Sequence, residues 1–144
     1  MFKMDEGLGL LMNVIDKLMI NTFNRKIKEK GINITFEQYT ILTMLWDNEN
    51  LCQYNLAELT NRDQASTSRL INTLIKNELI VRETSEKDKR VKNIKLTAKG
   101  EEIKDTVKSV VKESFNDAVK DVTSEEMNEG MNFLNKLRIN LSEK

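Results

Sequence analysis

The run NLAELTNRDQASTSRLINTLIKNELIVRETSEKDKRVKNIKLTAKG, residues 55–100, decides the fold. Asn55, with Glu58 three residues later, reads as a capping pair that opens a short helix. The pattern breaks at Asn61 and Arg62. Asp63 then precedes residues 64–78, where a carboxylate accepts from the free N–H groups of a helix start and complements its dipole. Two helices joined by a tight turn are expected. In the second, Thr67, Leu70, Ile71, Leu74 and Ile75 recur at helical spacing and form one inward stripe. Gln64, Ser66, Ser68, Arg69, Asn72, Thr73 and Lys76 remain outside, a face without a carboxylate and with little bulk. Such a face can donate and accept at base edges in a major groove without repulsion from phosphate. A helix face that merely meets water has a similar composition, so the next segment has to separate the two.

Residues 80–84 and 91–96 are short strand-like runs, the second alternating Ile94 and Leu96 with Asn93 and Lys95. SEKDKR lies between them, so a hairpin with a charged tip follows a helix-turn-helix directly. That is the layout of a winged helix. A basic tip reaches the minor groove beside the major-groove site, where narrow grooves favour arginine. Arg90 is the candidate for that contact, with Asp88 and Lys89 beside it, and Arg62, Lys76, Lys92 and Lys95 are the candidates for phosphate.

The run from Leu79 to Gly100 resembles the wing of the MarR family of bacterial transcription regulators, which carries Asp-x-Arg at the tip and then a strand ending in Leu-Thr-x-x-Gly. Asp88, Lys89 and Arg90 match the first part; Leu96, Thr97 and Gly100 match the second. Residues 63–80 are similar to the family's recognition helix and the turn after it. Glu78 departs from the pattern, since relatives usually place Gly there. A residue with a Cβ at that turn has to accept a strained backbone or a different turn. The resemblance implies homodimers joined by N- and C-terminal helices, with the winged units as two lobes. It also implies an Asp88 carboxylate that orients Arg90 through an ion pair, where the role is orientation because exposed pairs add little stability. Similar regulators release DNA when a small aromatic or phenolic effector enters a crevice between the dimer helices and the winged lobe. Met19, Phe23, Tyr39 and Trp46 are the candidate lining, although Met and aromatics at helical spacing are more often plain core. Some similar regulators sense peroxide through a thiol near the start of the first helix, where this chain has residues 8–12, LGLLM. The single Cys, Cys52, has no flanking cation and reads as an apolar thiol.

The remaining sequence fits this frame. Lys plus Arg and Asp plus Glu both total 23, for a net charge of zero. Charge is nevertheless uneven: residues 62–99 hold ten basic and five acidic side chains, leaving a deficit of five elsewhere. Positive field gathers on the expected DNA face, while the acidic remainder limits indiscriminate binding. There is no His, which removes the commonest general base and the commonest metal ligand. A hydrolase or transferase is therefore the weakest reading, and no cofactor or metal is expected. Neither a signal peptide nor an uncharged run of membrane-spanning length appears, so a cytoplasmic protein is expected.

Residues 8–30 predict a long helix with Leu11, Ile15, Leu18 or Met19, and Phe23 on one stripe and Leu10, Val14 and Ile27 beside it, an apolar arc wider than one neighbour covers. Gly31 stops it. Residues 36–46 predict a helix with Phe36, Tyr39, Leu42, Leu45 and Trp46 inward. One long helix is expected after Thr97, and Thr123 with Glu126 reads as a capping box for a last helix carrying Met127, Met131, Leu134, Leu137 or Arg138, and Leu141.

The expected fold is mainly α with a small β-wing: a winged helix-turn-helix unit at 32–99, and a helical dimerisation region at 1–31 and 100–144. The expected function is sequence-specific binding of double-stranded DNA by a homodimeric, ligand-responsive repressor on a pseudo-palindromic operator. Two alternatives are a redox-responsive regulator working through Cys52 and a winged-helix protein-interaction module that does not bind DNA.

Overall fold

The structure, a computed structural model, describes residues 3–142. Its elements are α1 (Met4–Glu29), α2 (Phe36–Asp47), α3 (Gln53–Leu59), α4 (Gln64–Lys76), β1 (Ile80–Thr84), β2 (Lys92–Leu96), α5 (Ala98–Glu102), α6 (Lys104–Ala118) and α7 (Ser124–Ser142). β1 and β2 form an antiparallel two-stranded sheet in which Ile80 faces Leu96 and Arg82 faces Ile94.

One core joins α1 through α4, the sheet and α6. Ile41, Leu42 and Leu45 of α2, Leu56 of α3, Ile71 and Leu74 of α4, and Ile80 and Ile94 of the sheet are buried together. Phe23 and Ile27 of α1 and Val107 and Val110 of α6 belong to the same cluster, so that core runs through both ends of the 32–99 segment. Phe23 also packs edge-on against Phe36, ring centroids 5.5 Å apart, and the Asn24 Oδ1 accepts from the Phe36 N–H at 2.9 Å. Lys26 carries the attachment further along α1, its Nζ 2.9 Å from Asp117 Oδ2 and 3.6 Å from Glu113 Oε1 of α6. The hydrogen bond with Asp117 raises the Lys26 pKa.

Local sequence explains most boundaries. Thr35 caps α2, accepting from the Gln38 N–H at 3.2 Å, while Gln38 Oε1 accepts from the Thr35 N–H at 3.0 Å. Gly31 ends α1 with φ of 76°, a left-handed turn in which the Ile32 N–H reaches back to the Ile27 carbonyl. The Thr123–Glu126 capping box expected before the last helix is present in both directions, at 3.1 Å each.

The ends of α1, α4 and β2 shift by a few residues from the sequence reading, and two further boundaries differ in kind. Residue Asn55 does not cap α3. The helix begins at Gln53, Cys52 is its N-cap, and the Cys52 N–H and thiol both donate to Asn55 Oδ1, at 3.0 and 2.9 Å. Asn55 thus closes the cap from inside the first turn. The single long helix expected after Thr97 is interrupted at Ile103, the shared boundary of α5 and α6. The short α5 packs beside β2 and α6 beside α1, with Val107 and Val110 of α6 in the core.

Most of α1 before Phe23 and most of α7 leave their apolar side chains in solvent, with Met127 and Leu137 half-buried. Leu8, Leu10, Leu11, Met12, Val14, Ile15, Leu18 and Met19 of α1 are exposed, as are Met131, Phe133, Leu134, Ile139 and Leu141 of α7. No residue of α7 is buried.

Candidate nucleic-acid interface

The reading head is built on α4. Asp63 opens it by accepting from the Ser66 N–H at 2.6 Å, and its bonds with the Ser66 backbone and side chain hold its carboxyl below the usual carboxylate range. Thr67, Ile71 and Leu74 are buried, while Leu70 and Ile75 pack partly against the core. The opposite face shows Gln64, Arg69, Asn72, Thr73 and Lys76 to solvent, with Ser66 and Ser68 half-buried at its edge. Arg69 Nη2 donates to Ser66 Oγ at 3.0 Å, which ties the arginine to the first turn. The turn from α3 into α4 places Asn61 at φ of 52° and brings the Arg62 N–H back to the Ala57 carbonyl at 2.9 Å. The Arg62 side chain is half-buried there, and its Nε is enclosed with no hydrogen-bond partner among the described residues.

The passage from α4 to the wing turns on Glu78. Its φ is 62°, the left-handed conformation that glycine adopts without strain. Glu78 and Leu79 donate their N–H groups to the Ile75 and Leu74 carbonyls at 2.9 and 3.0 Å, which closes α4 in a Schellman turn. The strain expected at this position is therefore present, and the turn keeps its usual geometry.

The Leu-Thr-x-x-Gly segment clamps that turn. Thr97 Oγ1 donates to the Glu78 carbonyl at 2.6 Å and accepts from the Gly100 N–H at 3.0 Å, and the Thr97 N–H donates to the Leu79 carbonyl at 3.0 Å. Gly100 lies so close that a Cβ there would collide with the Leu79 carbonyl oxygen. Trp46 Nε1 donates to the Gly100 carbonyl at 3.0 Å from within the core. The motif thus anchors the hairpin base.

At the tip, Arg90 grips Asp88 with two bonds, Nε to Oδ1 and Nη2 to Oδ2, both 3.1 Å, and the Arg90 N–H adds a third to Oδ1 at 3.0 Å. Chiefly the side-chain bond with Arg90 holds the Asp88 carboxyl below its ordinary range. The Arg90 side chain remains 91% exposed. Lys89 is exposed beside it. Lys92 Nζ donates to Thr84 Oγ1 at 3.0 Å, and Lys95 Nζ pairs with Glu83 Oε2 at 3.0 Å, so part of the Lys95 charge is neutralised on the wing itself.

One residue of this head was missed. Arg82 of β1 reaches both α3 and α4, donating to Gln53 Oε1 at 3.2 Å and to Asn72 Oδ1 at 2.8 Å. The two-residue period of a strand sets Arg82 on the same side as Ile80, and an arginine in the inward phase was the available signal.

The four residues expected to line an effector crevice separate into two groups. Met19 and Phe23 border an open cavity of about 490 Å³ between α1, the start of α2 and α6, together with Ile15, Phe36, Val111 and Phe115. Tyr39 and Trp46 do not line it. Tyr39 packs at a tilt against both Phe23 and Phe36, centroids 5.3 and 5.7 Å away, at the edge of the core, and the Trp46 N–H is committed to Gly100. Helix α2 turns both inward, which leaves only its first residue at the cavity. Cys52 is half-buried and bonded to Asn55. Among the described residues there is no group of three or more potential metal ligands, and no helix is long and apolar enough to cross a membrane.

A helix-turn-helix continued into an anchored two-stranded hairpin defines a winged helix-turn-helix protein. The MarR family model matches residues 34–92, the segment from the end of the α1–α2 link to the start of β2, and over that segment the chain is similar to this family. The organic hydroperoxide resistance transcriptional regulator of Bacillus subtilis (strain 168) is 32% identical over 74 residues, 51% of this chain and 50% of that protein, so the match spans half of that relative's length. The HTH-type transcriptional regulator SarZ of Staphylococcus epidermidis is 27% identical over 107 residues, 74% of this chain and 71% of SarZ. Among solved structures, MepR of S. aureus in complex with DNA is similar over 97% of this chain and 99% of that one, with 25% identity and a TM-score of 0.88. A mutant MarR from E. coli complexed with operator DNA aligns over 90% of this chain and 92% of its own, at 21% identity and a TM-score of 0.83.

Proposed function

We propose that the protein is a sequence-specific, double-stranded DNA-binding transcription regulator that works as a homodimer and represses the genes whose operators it occupies. The observation that carries this reading is the carboxylate-free outer face of α4 beside a wing whose tip arginine is held ready by Asp88. In this arrangement Gln64, Ser66, Ser68, Arg69, Asn72 and Thr73 read base edges, and Arg62, Lys76, Lys92 and Lys95 meet phosphate with the help of the wing. Arg90 enters the adjoining minor groove. Repression follows from occupancy, because a dimer lying on an operator excludes other proteins from it.

The apolar faces of α1 and α7 support the dimer. Exposed apolar surface of this extent marks an interface, and a two-fold partner using the same helices covers both faces at once. Two-fold related recognition helices then require a pseudo-palindrome with half-sites about one helical turn apart. The cavity bordered by Met19 and Phe23 has a volume suited to a small molecule, and its mainly apolar wall, with Asp16, Thr22, Ser114 and Asp117 as the polar lining, fits a small aromatic or phenolic effector. Such an effector binding between α1 and α6 releases DNA by shifting the lobes against the dimer helices. A cytoplasmic site of action goes with this function.

Two experiments test the proposal. Selection from a random duplex pool by the purified protein returns a two-fold symmetric site; recovery of unselected sequence refutes sequence-specific binding. Sedimentation of Leu11→Asp/Leu134→Asp gives a folded monomer with weakened binding, because both side chains are exposed within the subunit and a charge there harms only the interface. A monomeric wild type refutes the dimer.

A further inference from the structure

Arg82 shares the inward side of the sheet with Ile80 and, across the ladder, with Ile94, both buried. Its guanidinium is committed to two helices: Nε donates to Gln53 Oε1 at the start of α3, and Nη2 donates to Asn72 Oδ1 on the exposed face of α4. Arginine has donors only, so the atom of Asn72 that meets it has to be the oxygen. A free asparagine amide turns over readily and offers its NH2 or its carbonyl with little difference in shape. Here a flip sets the NH2 against a guanidinium and loses a charge-assisted bond. Asn72 lies one helical turn beyond Ser68 and Arg69 on the same face of α4, so what its amide offers outward matters for reading.

We infer that Arg82 is a specificity-determining positioning residue, which locks the Asn72 amide so that the recognition helix presents a donor and not an acceptor at that point. Guanine, adenine and thymine each carry a major-groove acceptor for such a donor, whereas cytosine offers only its amino donor. The locked amide therefore selects against a cytosine where Asn72 meets the base pair, and an unlocked one accepts from cytosine N4. A residue on the wing strand thus sets base preference without touching DNA. The inference rests on the DNA-binding reading above and adds to it a role that the wing tip does not supply.

The test compares sites selected from a random duplex pool by wild type, Arg82→Lys, Asn72→Ala and the double variant, with affinities measured over a salt series. Lysine keeps the charge but is a single point donor that cannot bridge Gln53 and Asn72. Arg82→Lys is expected to admit cytosine at one position per half-site, with roughly tenfold lower discrimination there and an unchanged salt slope. Added to Asn72→Ala, it is expected to alter base preference no further. Arg82→Gln, which also loses the bridge, is expected to give the same broadened site and stands in should the lysine variant fold poorly. A wild type that selects no site sinks the DNA-binding reading itself. A wild type that selects a defined site which both Arg82 variants read with equal discrimination overturns the lock and leaves DNA binding standing. A salt slope lower by about 0.9 per wing also overturns it, by making Arg82 a phosphate contact.

Discussion

Replacing Arg90 with alanine separates what the wing tip does for folding from what it does for binding. The Arg90 side chain is almost wholly exposed, and its side-chain hydrogen bonds within the subunit go to Asp88, two residues away. Arg90→Ala removes no core packing and no tie between elements, so the melting temperature should stay within about 2 °C of wild type. DNA binding should respond very differently. Each neutralised phosphate contributes about 0.9 to the slope of log affinity against log salt, so a homodimer with two wings should lose about 1.8. Over a fourfold rise in salt that amounts to about a tenfold smaller loss of affinity than wild type shows. Specific and scrambled duplexes should be affected nearly alike. Arg69→Ala should instead cost about 1–3 kcal/mol on the selected duplex and relax preference at one base pair per half-site. Fluorescence anisotropy over a salt series on both duplexes makes the comparison. In parallel, NMR titration should show the Asp88 carboxyl returning upward toward its ordinary pKa once Arg90 is gone. In the wild type the Asp88–Arg90 contact is complete above the ordinary carboxylate pKa and is lost as pH falls through the lowered value. An Arg90→Ala protein with unchanged affinity and salt slope on both duplexes would refute the assignment of the wing to DNA.

Other substitutions probe the frame that holds the wing. Glu78→Gly relieves a left-handed residue while keeping its backbone bonds and should raise stability by about 0.5–1 kcal/mol in urea unfolding; an unchanged or lower midpoint contradicts the strain. Gly100→Ala drives a methyl into the Leu79 carbonyl and should cost about 1–3 kcal/mol, seen as a lower melting temperature together with weaker DNA binding; a variant as stable as wild type shows that the clamp tolerates movement. Cys52→Ser exchanges one capping side chain for a better one and should leave stability equal or higher by up to about 1 kcal/mol. It should also leave DNA affinity and its response to peroxide unchanged, and a wild type that releases DNA on mild oxidation while this variant does not would reinstate Cys52 as a sensor.

Features with short reach in the chain were legible in the sequence. Period and capping placed α4, its Asp63 cap and its buried Thr67, Ile71 and Leu74, because each depends on neighbours within four residues. Strand β1 was read at its observed bounds, and β2 begins one residue later than expected. The Asp88–Arg90 pair, which the family resemblance implied, joins residues two apart, so it too needs no distant contact. Cys52 as the N-cap of α3 was local too, but cysteine is a rare cap, and Asn55 carried a stronger signal that belonged to the inside of the turn.

Tertiary structure alone decided the contacts that span the chain. Periodicity says that Tyr39 and Trp46 face inward but not which interior surface they meet; packing gave Tyr39 to Phe23 and Phe36, and gave the Trp46 N–H to a carbonyl 54 residues away. Thr97 meets Glu78 across 19 residues, and Arg82 meets Gln53 and Asn72 across 29 and 10. A one-dimensional pattern records which residues are apolar or polar at a given phase. It does not record which distant backbone carbonyl or side-chain oxygen will stand within 3 Å of a given donor, because that distance is fixed only when helices, hairpin and core close on one another.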